Sequence, residues 1–217
     1  MIRTKPDTAW PPSRELAGDE HNGAATVTIV TGLPRSGTSM MMQMLAAGGC
    51  RILTDGARAA DANNPHGYLE YELVKRLPIE SGWLHLARGK ALKVVAPLLP
   101  WLPLEAADGS PFHYRVVFMN RDPQEIADSQ LRMLRDLGRE RMNQPGPLLQ
   151  RAMQQDLGAA RDWLSRYAVP GIDVDYRETL RDPGRTSARL AGLIPALQVQ
   201  AAAAAVVSTP PAPGMAS

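Results

Sequence analysis

The sequence predicts an α/β domain: a three-layer sandwich in one unit, with a central parallel sheet of about five strands and helices on both faces. Three observations predict it. Short apolar runs alternate with helical stretches along most of the chain. The runs VTIV, LKVV and RVVFM are nearly continuous in apolar residues, as strands covered on both faces are. A turn with two glycines, GLPRSGTS, joins the first run to a helical stretch.

The elements follow in order. Strands are expected at Thr26–Thr31, Arg51–Leu53, Ala91–Val95, Tyr114–Asn120 and Ile172–Asp175. Helices are expected at Thr38–Ala47, around Tyr68–Leu77, at Pro123–Leu137 and at Pro147–Tyr167. Asp122-Pro123 is a helix-start signal, with Asp as N-cap and Pro in the first turn. Residues 1–24 are polar, contain Pro11 and Pro12, and read as a disordered or loosely packed arm. Residues 25–197 form the expected domain. Residues 198–217 read as a disordered Ala/Pro-rich tail, in which the alanines can extend a helix.

Composition narrows the function classes. The chain has 217 residues, 44% hydrophobic and 21% charged, a globular balance. A net charge of +2 argues against a general nucleic-acid surface. No run has the 18 or more apolar residues of a membrane span, and the N-terminal residues lack the apolar core of a secretory leader. The single cysteine, Cys50, cannot form an internal disulfide and reads as a small buried residue. The expectation is a cytoplasmic protein with no membrane partner.

GLPRSGTS, Gly32 to Ser39, is built to hold an anion. Its glycines allow backbone conformations that side chains forbid. The amides of Arg35 through Ser39 can converge at a helix N-terminus, where the helix dipole adds to the attraction. Arg35 brings a fixed charge with a planar fork, and Ser36, Thr38 and Ser39 bring hydroxyls. The usual nucleoside-triphosphate loop has lysine where this chain has Thr38. RVVFM ends in Asn120-Arg121 rather than in a metal-holding aspartate. Both features disfavour a Mg-nucleoside triphosphate and favour a terminal anion handled by arginine and hydroxyls.

TIVTGLPRSGTSMMMQML resembles the 5′-phosphosulfate loop of sulfotransferases that use 3′-phosphoadenosine 5′-phosphosulfate (PAPS), in the bacterial branch with PRSGT(S/T). VVFMNRDPQEIADSQ resembles the family's 3′-phosphate motif, with Arg121 and Ser129 at the matching positions. VDYRETLRDP, Val174 to Pro183, is similar to the family's late strand-plus-helix segment. The resemblance implies that Pro34, Arg35, Ser36, Gly37, Thr38 and Ser39 hold the phosphosulfate and that Arg121 and Ser129 hold the 3′-phosphate. It implies PAPS as sulfuryl donor and no metal. The family's late basic segment of the R-K-G type has no counterpart after Pro183, where Arg185 and Arg189 are the candidates to replace it.

Sulfuryl transfer needs in-line alignment, stabilisation of charge on the leaving phosphate, and a base for the acceptor. Arg35 fits the second need, as a purely electrostatic group. DANNPHGYLEYELVKRL, Asp61 to Leu77, resembles the family's N-P-x-G-(Y/F)-x-E acceptor segment, and Glu70 is its best-matched acid. A carboxylate in a dry cleft can act as base. His66, in a Pro–Gly turn, is a further candidate, and Lys93, at a strand end, is a candidate to face the sulfuryl group. Pro97 to Leu104, with Trp101, can wall an apolar acceptor pocket or simply pack beside the sheet. The mixed-charge stretch Leu131–Met142 reads as a solvated helix, and Trp83 and Trp163 read as core. The acceptor expected is a small molecule, carbohydrate or peptide carrying a hydroxyl or amine. Two other readings stay open: an ATP-dependent kinase-like enzyme, and a non-catalytic nucleotide-binding module.

Overall fold

A computed structural model of the chain describes residues 25–57, 67–136 and 147–206. Four parallel strands form its sheet: β1 (Val27–Gly32), β2 (Ala91–Lys93), β3 (Tyr114–Asn120) and β4 (Gly171–Asp175). Their spatial order is β2-β1-β3-β4, and every pairing is parallel. The helices are α1 (Thr38–Ala47), α2 (Pro123–Asp136), α3 (Pro147–Arg166), α4 (Tyr176–Arg181), α5 (Pro183–Leu193) and α6 (Val199–Ala204). Three short 3-10 helices, Glu72–Arg76, Gly82–Ala87 and Ala96–Trp101, lie between α1 and β3.

The continuous apolar strands do bury both faces. On one face Ile29, Leu92, Val116 and Phe118 pack with Trp83, Leu84, Leu99, Trp163 and Leu164. On the other, Val30, Val117, Met119 and Val174 pack with Met41, Met44 and Leu45 of α1, Leu190 of α5 and Ala202 of α6. Side chains that alternate along β3 therefore go to opposite layers, as the two-residue period requires. Both tryptophans read as core are in the core.

The sheet has four strands, not about five. The expected strand at Arg51–Leu53 is reduced to one bridge, Ile52 against Ala91. Two hydrogen bonds make it: Ala91 N donates to Arg51 O at 2.7 Å, and Leu53 N donates to Ala91 O at 2.9 Å. Pairing stops there because the next backbone groups are used elsewhere. Asp55 N and the Thr54 hydroxyl both donate to the Glu70 carbonyl. The stretch around Tyr68–Leu77 is a single 3-10 helix, Glu72–Arg76, rather than an α-helix, and Pro78 stands just beyond it.

The C-terminal boundary also shifts. Val199–Ala204, expected in the tail, is a packed helix. Ala202 is fully buried, and Gln198 N donates to Gly48 O at 2.9 Å. The alanines win a helix because small side chains let α6 lie close against α1. Residues 207–217, residues 1–24 and the stretch 137–146 lie outside the described residues. No helix among the described residues is long and apolar enough to cross a membrane.

Gly48 sets the distance between these helices. A Cβ there would sit 2.4 Å from Leu197 Cδ1 and 3.1 Å from Ala202 Cβ. Gly48→Val is therefore expected to destabilise the chain by about 1–3 kcal/mol through overpacking. Denaturant unfolding should show the loss, and an unchanged midpoint would mean that α6 does not dock there.

Candidate active site

Parallel pairing places the carboxyl ends of β1 and β3 side by side, with Gly32 against Met119. The link from β2 to β3 passes over β1, so the chain changes direction across the sheet at this point. Crevices outside such switch points are where open α/β sheets bind ligands. GLPRSGTS leaves β1 here, and the segment carrying Arg121 leaves β3 here.

The loop is held open by two glycines. Gly32 has φ +145°, and a Cβ on it would meet Ser36 Oγ at 2.5 Å and the Met119 carbonyl at 2.6 Å. Gly37 has φ +98°, and a Cβ there would meet the Tyr176 ring at 2.5 Å. Arg35 adopts φ +72°, an uncommon conformation for a residue with a side chain. Arg121 holds it there by donating from Nη1 to the Arg35 carbonyl at 2.9 Å.

Gly37 is the N-cap of α1, with no side-chain cap and no acidic residue in the first turn. The first-turn amides of an α-helix have no acceptor within the helix. Ser36 is buried, and its hydroxyl has no hydrogen-bond partner among the described residues. A buried unpaired hydroxyl beside an uncapped helix start suits an anionic ligand with several oxygens.

Three segments converge on this point. Arg35 donates from Nε to Ser129 Oγ at 3.0 Å, which ties the loop to α2. Ser129 is buried on the second turn of α2. Arg121 Nε donates to Glu125 at 3.1 Å, and its guanidinium lies 4.1 Å from the Tyr176 ring centroid. The structure thus brings Arg35, Arg121 and Ser129 together, with Ser36, Gly37 and Thr38 between them. Pro34 is exposed at the turn, and Thr38 is buried.

Lys93 and Glu70 form a second charged cluster, joined to the loop through Ser39. Lys93 is buried, and its ammonium donates to Ser39 Oγ at 3.0 Å, Tyr68 O at 3.2 Å and Glu70 Oε1 at 2.9 Å. Glu70 sits against this cation. Its backbone is fixed by Thr54 and Asp55. Asp55 also accepts from the amides of Glu72 and Ala57, and these bonds, Glu72 first, hold its carboxyl below the usual aspartate range. Their stabilisation is present at neutral pH and is lost as pH falls through the lowered value.

The remaining candidates fall away from this cluster or outside it. His66 lies outside the described residues. Arg189 donates to the Asp173 carbonyl on β4. Arg185 is exposed at the start of α5, where its amide donates to the capping Asp182 carboxylate. Trp101 is exposed, whereas Leu99 and Leu102 beside it are buried. Among the described residues no group of His, Cys, Asp or Glu side chains could hold a metal ion.

Sequence reasoning missed Tyr176, Glu125 and Arg177. Arg177 forms an ion pair with the second oxygen of Glu125. The spacing of Arg121 and Glu125, four residues apart on a helix start, was a usable signal for the first pair.

No family model matches the chain, and no curated protein matches it. Among solved structures the chain is similar to a sulfotransferase domain from the curacin biosynthetic pathway. The two share 14% identity, with a TM-score of 0.42 over 79% of this chain and 74% of that one.

The Lys93–Glu70 pair allows a stability test. Lys93→Met leaves a partly buried carboxylate without its cation and is expected to cost about 1–3 kcal/mol. Adding Glu70→Gln should restore most of it, because the two residues touch. A double-variant loss equal to the sum of the two single-variant losses, measured by denaturant unfolding, would remove the coupling.

Proposed function

We propose that the chain is a sulfotransferase that uses PAPS to sulfate a hydroxyl or amine of an acceptor. The observation that carries the reading is the meeting of Arg35, Arg121 and Ser129 at the uncapped start of α1. These are the residues of the two motifs that resemble PAPS-binding segments. The unpaired Ser36 hydroxyl adds a donor to the same cradle.

When bound, PAPS supplies an activated sulfuryl group and a phosphate as leaving group. Arg35 and the first-turn amides of α1 stabilise the charge that grows on that phosphate, without giving up a proton. Arg121 and Ser129 hold the 3′-phosphate end and so fix the in-line axis. Ser39, held by Lys93, links the loop to the acceptor side. Glu70 takes the proton of the acceptor, and the Lys93 ammonium keeps the carboxylate in place. The reaction in this reading needs no metal, and the acceptor is a small molecule, a carbohydrate or a peptide. The protein works in the cytoplasm.

The test is calorimetric titration with adenosine 3′,5′-bisphosphate, the product of transfer, beside ATP with Mg. The bisphosphate is expected to bind at least about tenfold more tightly. Tight binding of Mg-ATP alone would overturn the reading. Arg35→Ala should lower transfer by about 10²-fold or more. Glu70→Gln should lower turnover by about 10²-fold and leave bisphosphate affinity intact. Unchanged turnover would remove Glu70 as the base.

A further inference from the structure

Glu125 stands between two arginines that come from different parts of the chain. Its Oε2 accepts from Arg121 Nε, at the end of β3. Its Oε1 pairs with Arg177, at the start of α4. Arg121 is mostly buried, whereas Arg177 keeps 70% of its side-chain surface exposed. One carboxylate thus gathers two guanidinium groups beside the anion cradle. With Arg121, Arg177 and Glu125 the cluster carries one net positive charge.

We infer that Glu125 is an internal stand-in for the ligand's 3′-phosphate and that Arg177 is the second cation of that subsite. The inference rests on the PAPS reading above. A carboxylate offers two oxygens and one negative charge, whereas a phosphate monoester offers three and about −1.5 to −2. Two arginines drawn to one carboxylate are arranged to bridge a phosphate. The incoming phosphate displaces Glu125 from the guanidinium groups and takes over both. Arg177 has the freedom to follow it, being largely in solvent. Arg121 keeps its place through the Arg35 carbonyl and the Tyr176 ring. Of the two candidates from the late sequence, Arg189 is engaged with the Asp173 carbonyl on β4. The subsite therefore selects for the ligand phosphate by making it compete with a built-in anion, and a nucleotide with a free 3′-hydroxyl has no group strong enough to do so.

The experiment compares adenosine 3′,5′-bisphosphate with adenosine 5′-monophosphate by calorimetry on the full chain. Wild type, Glu125→Gln and Arg177→Ala are titrated, and thermal unfolding checks that each is folded. Glu125→Gln removes the competing charge and keeps the shape. It should tighten bisphosphate binding by roughly fivefold, the upper range for a partly exposed ion pair. Monophosphate binding should change little. Arg177→Ala should weaken the bisphosphate by a similar factor and spare the monophosphate. Weaker bisphosphate binding in a folded Glu125→Gln would overturn the inference, because Glu125 would then be supporting Arg121 rather than competing. Equal effects of Arg177→Ala on both nucleotides would overturn its assignment. If wild type binds the bisphosphate and neither variant alters the preference, this inference fails and the PAPS reading stands. If wild type binds neither nucleotide, both fail.

Discussion

Six residues of β1 lie in register against β3, from Val27 opposite Tyr114 to Gly32 opposite Met119, and this pairing decides where two loops meet. Both strands end at the same height, so the chain leaving β1 and the chain leaving β3 share a crevice. The hydrogen bond from Arg121 to the Arg35 carbonyl crosses that crevice. Everything else at the site builds on it. Arg35 keeps an uncommon backbone conformation because its carbonyl is held, and its side chain is then free to reach Ser129. A register slip of one residue would turn every strand side chain to the other layer, so the two cores also guard the site geometry.

Two charged clusters flank the loop, and they differ in character. Lys93 is inside the protein and holds groups from α1, from the 67–70 segment and from Glu70 itself. Removing its charge breaks the bonds to Ser39, Tyr68 and Glu70 together. The Arg121 cluster lies nearer the surface, and Arg177 contributes mostly from solvent. An ion pair held by one exposed arm is cheap to rearrange, whereas the buried one is not. In the proposed reaction, the rigid Lys93 cluster and the freer Arg177 arm suit a site in which the nucleotide exchanges while the groups around Glu70 keep their places.

The sheet and α1 were legible in the sequence because continuous apolar runs and glycine-bounded turns leave strong local signals. β3 and α1 match their expected limits, and α2 and α3 match to within a residue. The loss of the fifth strand was not legible. It depends on the Thr54 and Asp55 groups finding Glu70, a contact between segments far apart in sequence. The docking of α6 was hidden for a similar reason: an alanine run carries no face, and its packing against Gly48, Leu197 and the apolar side chains of α1 and α5 gives it one. At the site, Arg35, Arg121 and Ser129 were readable as candidates from residue types in spaced motifs. Their mutual bonds, and the parts played by Tyr176 and Glu125, arise from tertiary placement. Glu70 was picked by its position, but the cation beside it was not foreseen as its partner.

Arg189 has a consequence of its own. β4 is a terminal strand of the sheet, and such strands offer unpaired backbone groups to any other chain. Here the Asp173 carbonyl already accepts from the Arg189 guanidinium, and the Asp173 carboxylate is held by Arg161 and Asn120. A second molecule adding a strand at this border would have to displace a charged donor from a carbonyl. Arg189, a candidate nucleotide ligand in the sequence, is thus the charged donor at this border of the sheet.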